Sequence, residues 1–418
     1  MAPTIDAERV AAILLSRHSL EAVSVKKAQA LWAGYGHICE VTARATSAEA
    51  AARMRRMHGD IGEETFALIL KIISPPATPS GSDVEGHLRK ILSYGVEQTF
   101  YSSVAPLLGD LPMARCIAAT DGGSDSGIPA GLTATLMTDL RATYPVAGEK
   151  RAVLNETQVH AALSWLAEFH RRSWAVLPLP PEELVLPPLE ERARRSRADA
   201  PGRSVWLNGG YTYLATRRKE YAALAADAGS EWSTALCGAF SPARGSSVAE
   251  MAARVLAPRG RGYETLIHGD VKSENLFTTR AGSSVAFYDF QYVGLGLGVC
   301  DLAKFFTCSV PVRMLTDEDE DDVGSAELRM GDGERRLLER YRETLLDGAD
   351  KTYDWDTFVR HWETALVDWL RFQASWGFWG NTDWLESRAR SILRDQTWRA
   401  WLDDQQDLID RDHRLASR

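Results

Sequence analysis

Two short apolar runs, each ending in a turn that carries a carboxylate, constrain this chain more than any other feature of its 418 residues. The first lies in LIHGDVKSENLF, residues 266–277, and the second in VAFYDFQ, residues 285–291. TLI before His268 and VAFY before Asp289 read as strand ends, which hold side chains rigidly at the rim of a cleft. Asp270, Asn275 and Asp289 then stand in the order and spacing that phosphoryl transfer from a nucleotide needs. One carboxylate can receive a hydroxyl proton, while an amide oxygen and a second carboxylate can hold Mg²⁺ against phosphates. Alone, Asp270 would read as a turn cap. The company of Asn275 and Asp289 is what favours chemistry.

Two neighbours join this constellation. His268 reads as an orienting group, its imidazole hydrogen-bonded to loop backbone rather than moving protons. Lys272, two residues after the proposed base, can neutralise charge on a transferring γ-phosphate. The plainer reading of Lys272 is an exposed lysine without a catalytic part.

The N-terminal half must supply a phosphate clamp. VSVKKAQALW and GHICEVTARA read as two strands joined near Gly34 and Gly36, and FALILKII, residues 66–73, as a third. Lys71 is the single charge in that third run, and an ammonium in such a strand needs a partner or a ligand. Glu97 is the preferred partner, at mid-helix in a segment (84–105) where Leu88, Leu92, Val96 and Phe100 fall four apart. Glu85 and Glu64 are the other available carboxylates, and a strand-edge lysine that discourages pairing is the structural alternative. Backbone N–H groups around Gly34-Tyr35-Gly36 can cover phosphates, although a GYG turn also fits an ordinary hairpin. No GxxxxGK[ST] pattern accompanies it, which argues against a P-loop.

Up to about residue 140 the chain alternates β-compatible runs with polar insertions, and beyond it helical patterns dominate. The expected class is therefore α+β. SAEAAARMRRMHGDIGEE reads as a polar, flexible insertion, PPATPSGSD as a loop and ATDGGSDSGIPAG as a turn-rich insertion. LTATLMT, residues 132–138, reads as a strand, Asn155 as a helix cap, and 208–229 as helical. Eight of the 13 tryptophans lie at or after Trp355. Trp355, Trp362, Trp369 and Trp376 recur every seventh residue, a packing stripe by default. Some could line an acceptor pocket, with Trp379 and Trp384 preferred over Trp369 because GNTD suggests a loop.

A net charge of −9 speaks against a general nucleic-acid surface. No apolar run approaches the ~20 residues needed to span a bilayer, and MAPTIDAERVAAILL reads as a helix rather than a leader. Five scattered cysteines without a CxxC pair fit a reduced, cytoplasmic protein. Nine histidines form no zinc pattern. The acidic run Asp317–Asp322 reads as solvated loop.

HGDVKSEN, YDFQ and the downstream GLGLGVCDLAKFF together resemble the aminoglycoside phosphotransferase and choline kinase-like enzymes, and within them the ecdysteroid kinase-like branch. The resemblance implies a bilobal protein-kinase-like fold, with residues 1–138 as a β-rich nucleotide-binding lobe and 139–418 as a helical catalytic and acceptor-binding lobe. It implies ATP and Mg²⁺ as cofactors and a small-molecule hydroxyl as acceptor. Carried residue by residue, it makes Asp270 the base, Asn275 and Asp289 the metal ligands, and Lys71 with Glu97 the clamp. Met137, Thr138, Asp139 and Leu140 become the adenine hinge, Asp301 a structural tie, and 162–174 the helix after the hinge.

Two rivals remain. A protein kinase fits HGDVKSENL less well, because Gly269 stands where such enzymes generally carry arginine. Only eleven residues separate Asp289 from Asp301, with no APE segment. A nucleotide-responsive binding protein with degenerate catalysis is motivated by the sparse glycine turn.

Overall fold

The computed structural model describes residues 6–31, 34–58, 65–76, 84–120, 127–129, 131–197, 202–242, 244–316 and 327–416. Strands β1 (Leu20–Ala30), β2 (Gly36–Ala45), β3 (Thr65–Ile73), β4 (Cys116–Ala119) and β5 (Thr133–Thr138) form one antiparallel sheet in the order β1-β2-β3-β5-β4. Alternation along β3 sends Phe66, Leu68, Leu70 and Ile72 into one core with Cys39, Val41 and Ala43 of β2. Helix α1 (Ala7–Ser16) covers that face with Val10, Ala11, Leu14 and Leu15, and α2 (Ala48–His58) with Ala50 and Met54. The same alternation turns Lys71 to the opposite face, toward α3 (Val84–Thr99). A lysine inside an apolar strand is thus a consequence of period two: one face is core and the other meets Glu97 of α3.

Two local expectations need correction, and one strand was missed. The insertion after β2 contains helix α2, started by Ser47, whose hydroxyl accepts the Ala50 N–H at 3.2 Å, and anchored by Ala50 and Met54 one turn apart. Its dense charge hid that two-residue anchor. The edge strand β4 was not legible, because CIAA is too short to show a period. Of residues 208–229, only a 3₁₀ turn at Leu214–Thr216 and helix α6 (Arg218–Ala226) are helical.

Helices dominate the rest. Helix α4 (Glu156–Ser173) starts at a reciprocal cap: Asn155 Oδ1 accepts the Gln158 N–H and Gln158 Oε1 accepts the Asn155 N–H, both at 3.0 Å. Its buried face carries Val159, Leu163, Leu166 and His170. Then come α5 (Pro188–Ser196), the hairpin β7 (Ala239–Ser241) and β8 (Arg244–Ser247), and α7 (Val248–Leu256). Helices α8 (Val299–Ser309), α9 (Asp332–Leu346), α10 (Trp355–Trp376), α11 (Thr382–Arg394) and α12 (Gln396–Ala416) complete the bundle. Two small sheets sit among them. Strand β9 (Thr265–Ile267) pairs with β12 (Gly294–Gly296), and β10 (Leu276–Thr278) lies between β6 (Val146–Ala147) and β11 (Val285–Phe287).

The architecture is a β-rich N-terminal lobe followed by a mainly helical C-terminal lobe, the bilobal protein-kinase-like arrangement. The tryptophan stripe on α10 splits by depth: Trp362 and Trp369 are buried, whereas Trp376 is 60% exposed. Trp384, expected beside a pocket, is fully buried on α11 and belongs to the core. All five cysteines are free. Among the described residues no helix is long and apolar enough to cross a membrane. The acidic run Asp317–Asp322 and Glu64 lie outside the described residues.

Candidate active site

Strand pairing fixes the two carboxylate turns. His268 follows β9, whose last residue Ile267 pairs with Gly294 of β12. Asn275 precedes β10, and its carbonyl accepts the Tyr288 N–H at 3.0 Å, extending the β10–β11 ladder to the residue before Asp289. Phe290 then drives into the core. Its ring stacks on Phe100 at 4.2 Å and meets Tyr101, Phe169 and His268. The apolar anchor holds the turn while Asp289 itself adopts φ 65°, a left-handed conformation that Asp tolerates better than most residues.

Asp270 and Asn275 touch directly. Asn275 Nδ2 donates to the Asp270 carbonyl at 2.8 Å and to its carboxylate at 2.9 Å, which leaves Asn275 Oδ1 free to act as a ligand. Lys272 reaches the same Asp270 oxygen at 3.3 Å and Glu274 at 3.0 Å. Burial works against the Lys272 charge, but Asp270 and Glu274 outweigh it and hold its pKa above the ordinary lysine range.

His268 is fully buried with both ring nitrogens committed. Nδ1 accepts the Asp270 N–H at 3.2 Å, so Nε2 carries the proton and donates to the Tyr288 carbonyl at 2.9 Å. Burial lowers its pKa, keeping this neutral form. Its position between the two turns makes it a brace for both.

Asp301 holds the turn from beneath. Its carboxylate accepts the N–H groups of His268 at 2.6 Å and Gly269 at 2.9 Å. His170 Nε2 lies 3.2 Å away, and the other ring nitrogen is 2.6 Å from the Tyr341 hydroxyl, linking α4 and α9 to the turn. Burial opposes the Asp301 charge, yet His170 and Lys304 more than compensate and its pKa falls below the usual carboxylate value. Lys304, which the sequence reading did not single out, donates to the Gly269 carbonyl at 2.8 Å. The only hint was its place in CDLAKFF, one turn after Asp301.

Gly269 has a physical requirement. At φ +83°, a Cβ there would run into the Tyr292 carbonyl and would come within 2.6 Å of the Gly210 nitrogen. An arginine could not occupy this backbone.

On the N-terminal sheet, Lys71 Nζ lies 2.5 Å from Glu97 and 3.5 Å from Asp289. The pair is nearly dry, with side chains 11% and 7% exposed. Burial alone would lower the Lys71 pKa, but Glu97 and Asp289 raise it beyond the ordinary value, so the ammonium persists. Glu85, an alternative partner, instead contacts Arg89 at 3.4 Å. One Asp289 oxygen receives both Lys71 and the Gln291 amide, the latter at 2.6 Å, leaving its second oxygen available.

The turn at Gly34-Tyr35-Gly36 closes β1 on β2, with the Leu31 N–H donating to the Gly36 carbonyl at 2.9 Å. Tyr35 turns inward, its hydroxyl 2.5 Å from His87 Nδ1 on α3. Gly36 has φ +147°, and a Cβ would strike the Ile72 carbonyl on β3. Gly36→Ala is expected to cost at least ~1–3 kcal/mol from strain and overpacking; a thermal melt unchanged from wild type would contradict this. Met137 and Thr138 finish β5, where Thr138 exchanges hydrogen bonds with Arg115 at 2.9 and 3.0 Å. Asp139 caps the turn that begins at Leu140 by accepting the Arg141 N–H at 2.9 Å.

Aromatic side chains extend from the Asp270 turn. Tyr211 lies 5.0 Å from Tyr292 and 5.6 Å from Phe372, which meets Trp376 at 6.1 Å and Trp379 at 6.0 Å. Asn381 latches the following loop to α8 through the Thr307 carbonyl at 2.7 Å, and Ser309 of α8 accepts the Ser273 N–H at 2.7 Å. The aromatic wall therefore shares a support, α8, with the Asp270 turn. A cavity of about 530 Å³ beside Leu111, His160 and Trp165 includes none of these residues.

The model of the ecdysteroid kinase-like family matches residues 49–323, well over half the chain. The chain belongs to the ecdysteroid kinase-like family. Solved structures similar to this ecdysteroid kinase-like chain include an amicoumacin kinase, 12% identical with a TM-score of 0.37, covering 96% of this chain and 94% of that one. An ethanolamine kinase of Plasmodium vivax is 12% identical, with a TM-score of 0.39 and coverage of 91% and 84%. A macrolide 2'-phosphotransferase of Brachybacterium faecium is 14% identical, with a TM-score of 0.39 and coverage of 88% and 91%. No curated protein matches this ecdysteroid kinase-like chain.

Proposed function

We propose that this chain transfers the γ-phosphoryl group of Mg²⁺–ATP to a hydroxyl group of a small molecule. The observation that carries the reading is convergence. Lys71, Glu97 and Asp289, from segments far apart in sequence, meet within 3.5 Å, and Asp270 and Asn275 form a bonded pair on the adjoining turn. Family membership supports a phosphotransferase of the kinase-like kind. In this reading residues 1–138 form the nucleotide lobe and 139–418 the catalytic and acceptor lobe.

Asp270 accepts the acceptor's hydroxyl proton as the new P–O bond forms. His268 braces that turn, and Lys272 offsets charge on the transferring group. Lys71, held by Glu97, contacts the α- and β-phosphates. Gly34 and Gly36 present the phosphate-covering turn, and Met137, Thr138, Asp139 and Leu140 form the adenine hinge. Asn275 Oδ1 and the free Asp289 oxygen are two hard donors suited to Mg²⁺. Among the described residues no set of three or more His, Cys, Asp or Glu side chains gathers as a metal site, which fits a cation whose remaining ligands are phosphate and water. When bound, that cation neutralises phosphate charge. The other residues bind, orient and accept the proton.

Acceptor-dependent ADP formation, with the phosphorylated product identified by mass spectrometry, tests the proposal. Folded protein that binds Mg²⁺–ATP yet phosphorylates nothing in an alcohol panel or an extract would favour a binding protein with degenerate catalysis. Asp289→Asn is expected to weaken Mg²⁺–nucleotide binding and turnover together, because it removes a hard anionic ligand. Metal titrations on wild type and variant check this, and an unchanged metal dependence would remove Asp289 from the site.

A further inference from the structure

Arg89, Ser93 and Glu97 stand four residues apart on α3 and so form one polar row along the helix, beside the apolar row of Leu88, Leu92, Val96 and Phe100. Each member is fastened to a different segment. Arg89 donates from Nε to the Thr216 hydroxyl at 2.8 Å and from Nη2 to the Thr216 carbonyl at 2.7 Å. Ser93, fully buried, donates to Gln291 Oε1 at 3.2 Å, with the Lys90 carbonyl at 2.9 Å as its alternative acceptor. Glu97 takes the Lys71 ammonium.

The middle contact reaches further. Gln291 Nε2 donates to Asp289 at 2.6 Å. Because a carboxylate only accepts, this bond fixes which end of the amide faces Ser93. The first contact reaches the aromatic wall. Thr216 is buried and precedes Arg217, whose guanidinium lies 5.4 Å from the Tyr211 and Phe372 rings and 5.0 Å from Trp376. Arg89 has one further carboxylate contact, Glu85 at 3.4 Å on its own helix.

We propose that Arg89 and Ser93 are positioning residues that strap α3 to the C-terminal lobe and hold Glu97 against Lys71. The nucleotide clamp is then set by the same segment that carries the aromatic wall, through contacts that need no phosphorylated loop. Only eleven residues lie between Asp289 and Asp301, too few for the long segment such a loop would require. The inference rests on reading Lys71 and Glu97 as the nucleotide clamp, and it adds the parts that set their geometry.

Calorimetric binding of the non-hydrolysable analogue AMP-PNP with Mg²⁺ tests it, on full-length wild type, Arg89→Met, Glu97→Gln and the double variant. Arg89→Met is expected to weaken binding about tenfold, in the range of a lost charged hydrogen bond. In the Glu97→Gln background the same substitution should add less than about twofold, because its effect travels through Glu97. Equal losses in both backgrounds would show a contribution to the fold alone and overturn the proposal, as would unchanged affinity in Arg89→Met. If Arg89→Met does not fold, Ser93→Ala carries the same cycle with a single hydroxyl removed. A wild type that binds no Mg²⁺–nucleotide would instead refute the clamp reading. Amide hydrogen exchange over Val84–Thr99 then decides the strap, which requires faster exchange in the variant and is overturned by identical rates.

Discussion

Replacing Asp270 with Asn should leave nucleotide binding nearly intact and slow phosphoryl transfer by about 10²–10⁴-fold, the scale for a positioned acid–base group. The substitution keeps the side-chain shape, and Asn275 Nδ2 retains the Asp270 carbonyl as an acceptor at 2.8 Å. What disappears is the proton acceptor, together with the charge that meets Lys272 at 3.3 Å. Initial rates beside AMP-PNP titrations separate the two effects. Near-wild-type turnover would remove Asp270 from the role of base, whereas a parallel loss of nucleotide affinity would mean that the turn had been rearranged.

The largest effect on stability is expected at Asp301. Its carboxylate is fully buried and satisfies the N–H groups of both His268 and Gly269. Asparagine can accept on one side only, and its NH₂ group would face a backbone donor on the other. Asp301→Asn should therefore cost about 3 kcal/mol or more, since it breaks a buried ionic network and leaves a polar group unpaired. Turnover should fall as well, because His268 and Gly269 lead directly into Asp270. Urea denaturation with parallel rate measurements checks both, and a variant of unchanged stability would mean that the turn does not depend on Asp301.

The segment around Asp270 and Asp289 was legible as strand ends and turns because its signal is local. Short β runs, a glycine, two carboxylates and an amide at fixed spacing need no long-range knowledge, and strands β9, β10 and β11 hold those residues where the spacing suggested. Lys71 was legible for a related reason, since one charge in an apolar strand has few destinations. The choice of Glu97 over Glu85 required only that the carboxylate lie beside the buried face of α3, and the distances agree.

What could not be read depends on contacts between distant segments. The need for glycine at 269 comes from the Tyr292 carbonyl and Gly210, neither of which a linear pattern places nearby. The role of Lys304 depends on the Gly269 carbonyl, 35 residues earlier. Trp384 misled because the GNTD segment suggested a loop, while Asn381 in fact latches that segment to α8 and lets α11 begin at Thr382. Arg89 and Ser93 passed unnoticed because the apolar row beside them already explained the helix.

The central claim is that the Asp270 turn moves a phosphoryl group from ATP to a small molecule. Incubating wild type and Asp270→Asn with Mg²⁺ and γ-³²P-ATP in a small-molecule extract, then separating products by chromatography with mass spectrometry, tests it most directly. Label should enter a discrete small molecule with wild type and fall by about 10²-fold or more with the variant. Equal labelling by both proteins, or no labelled product from a wild type that binds Mg²⁺–ATP, would contradict the account.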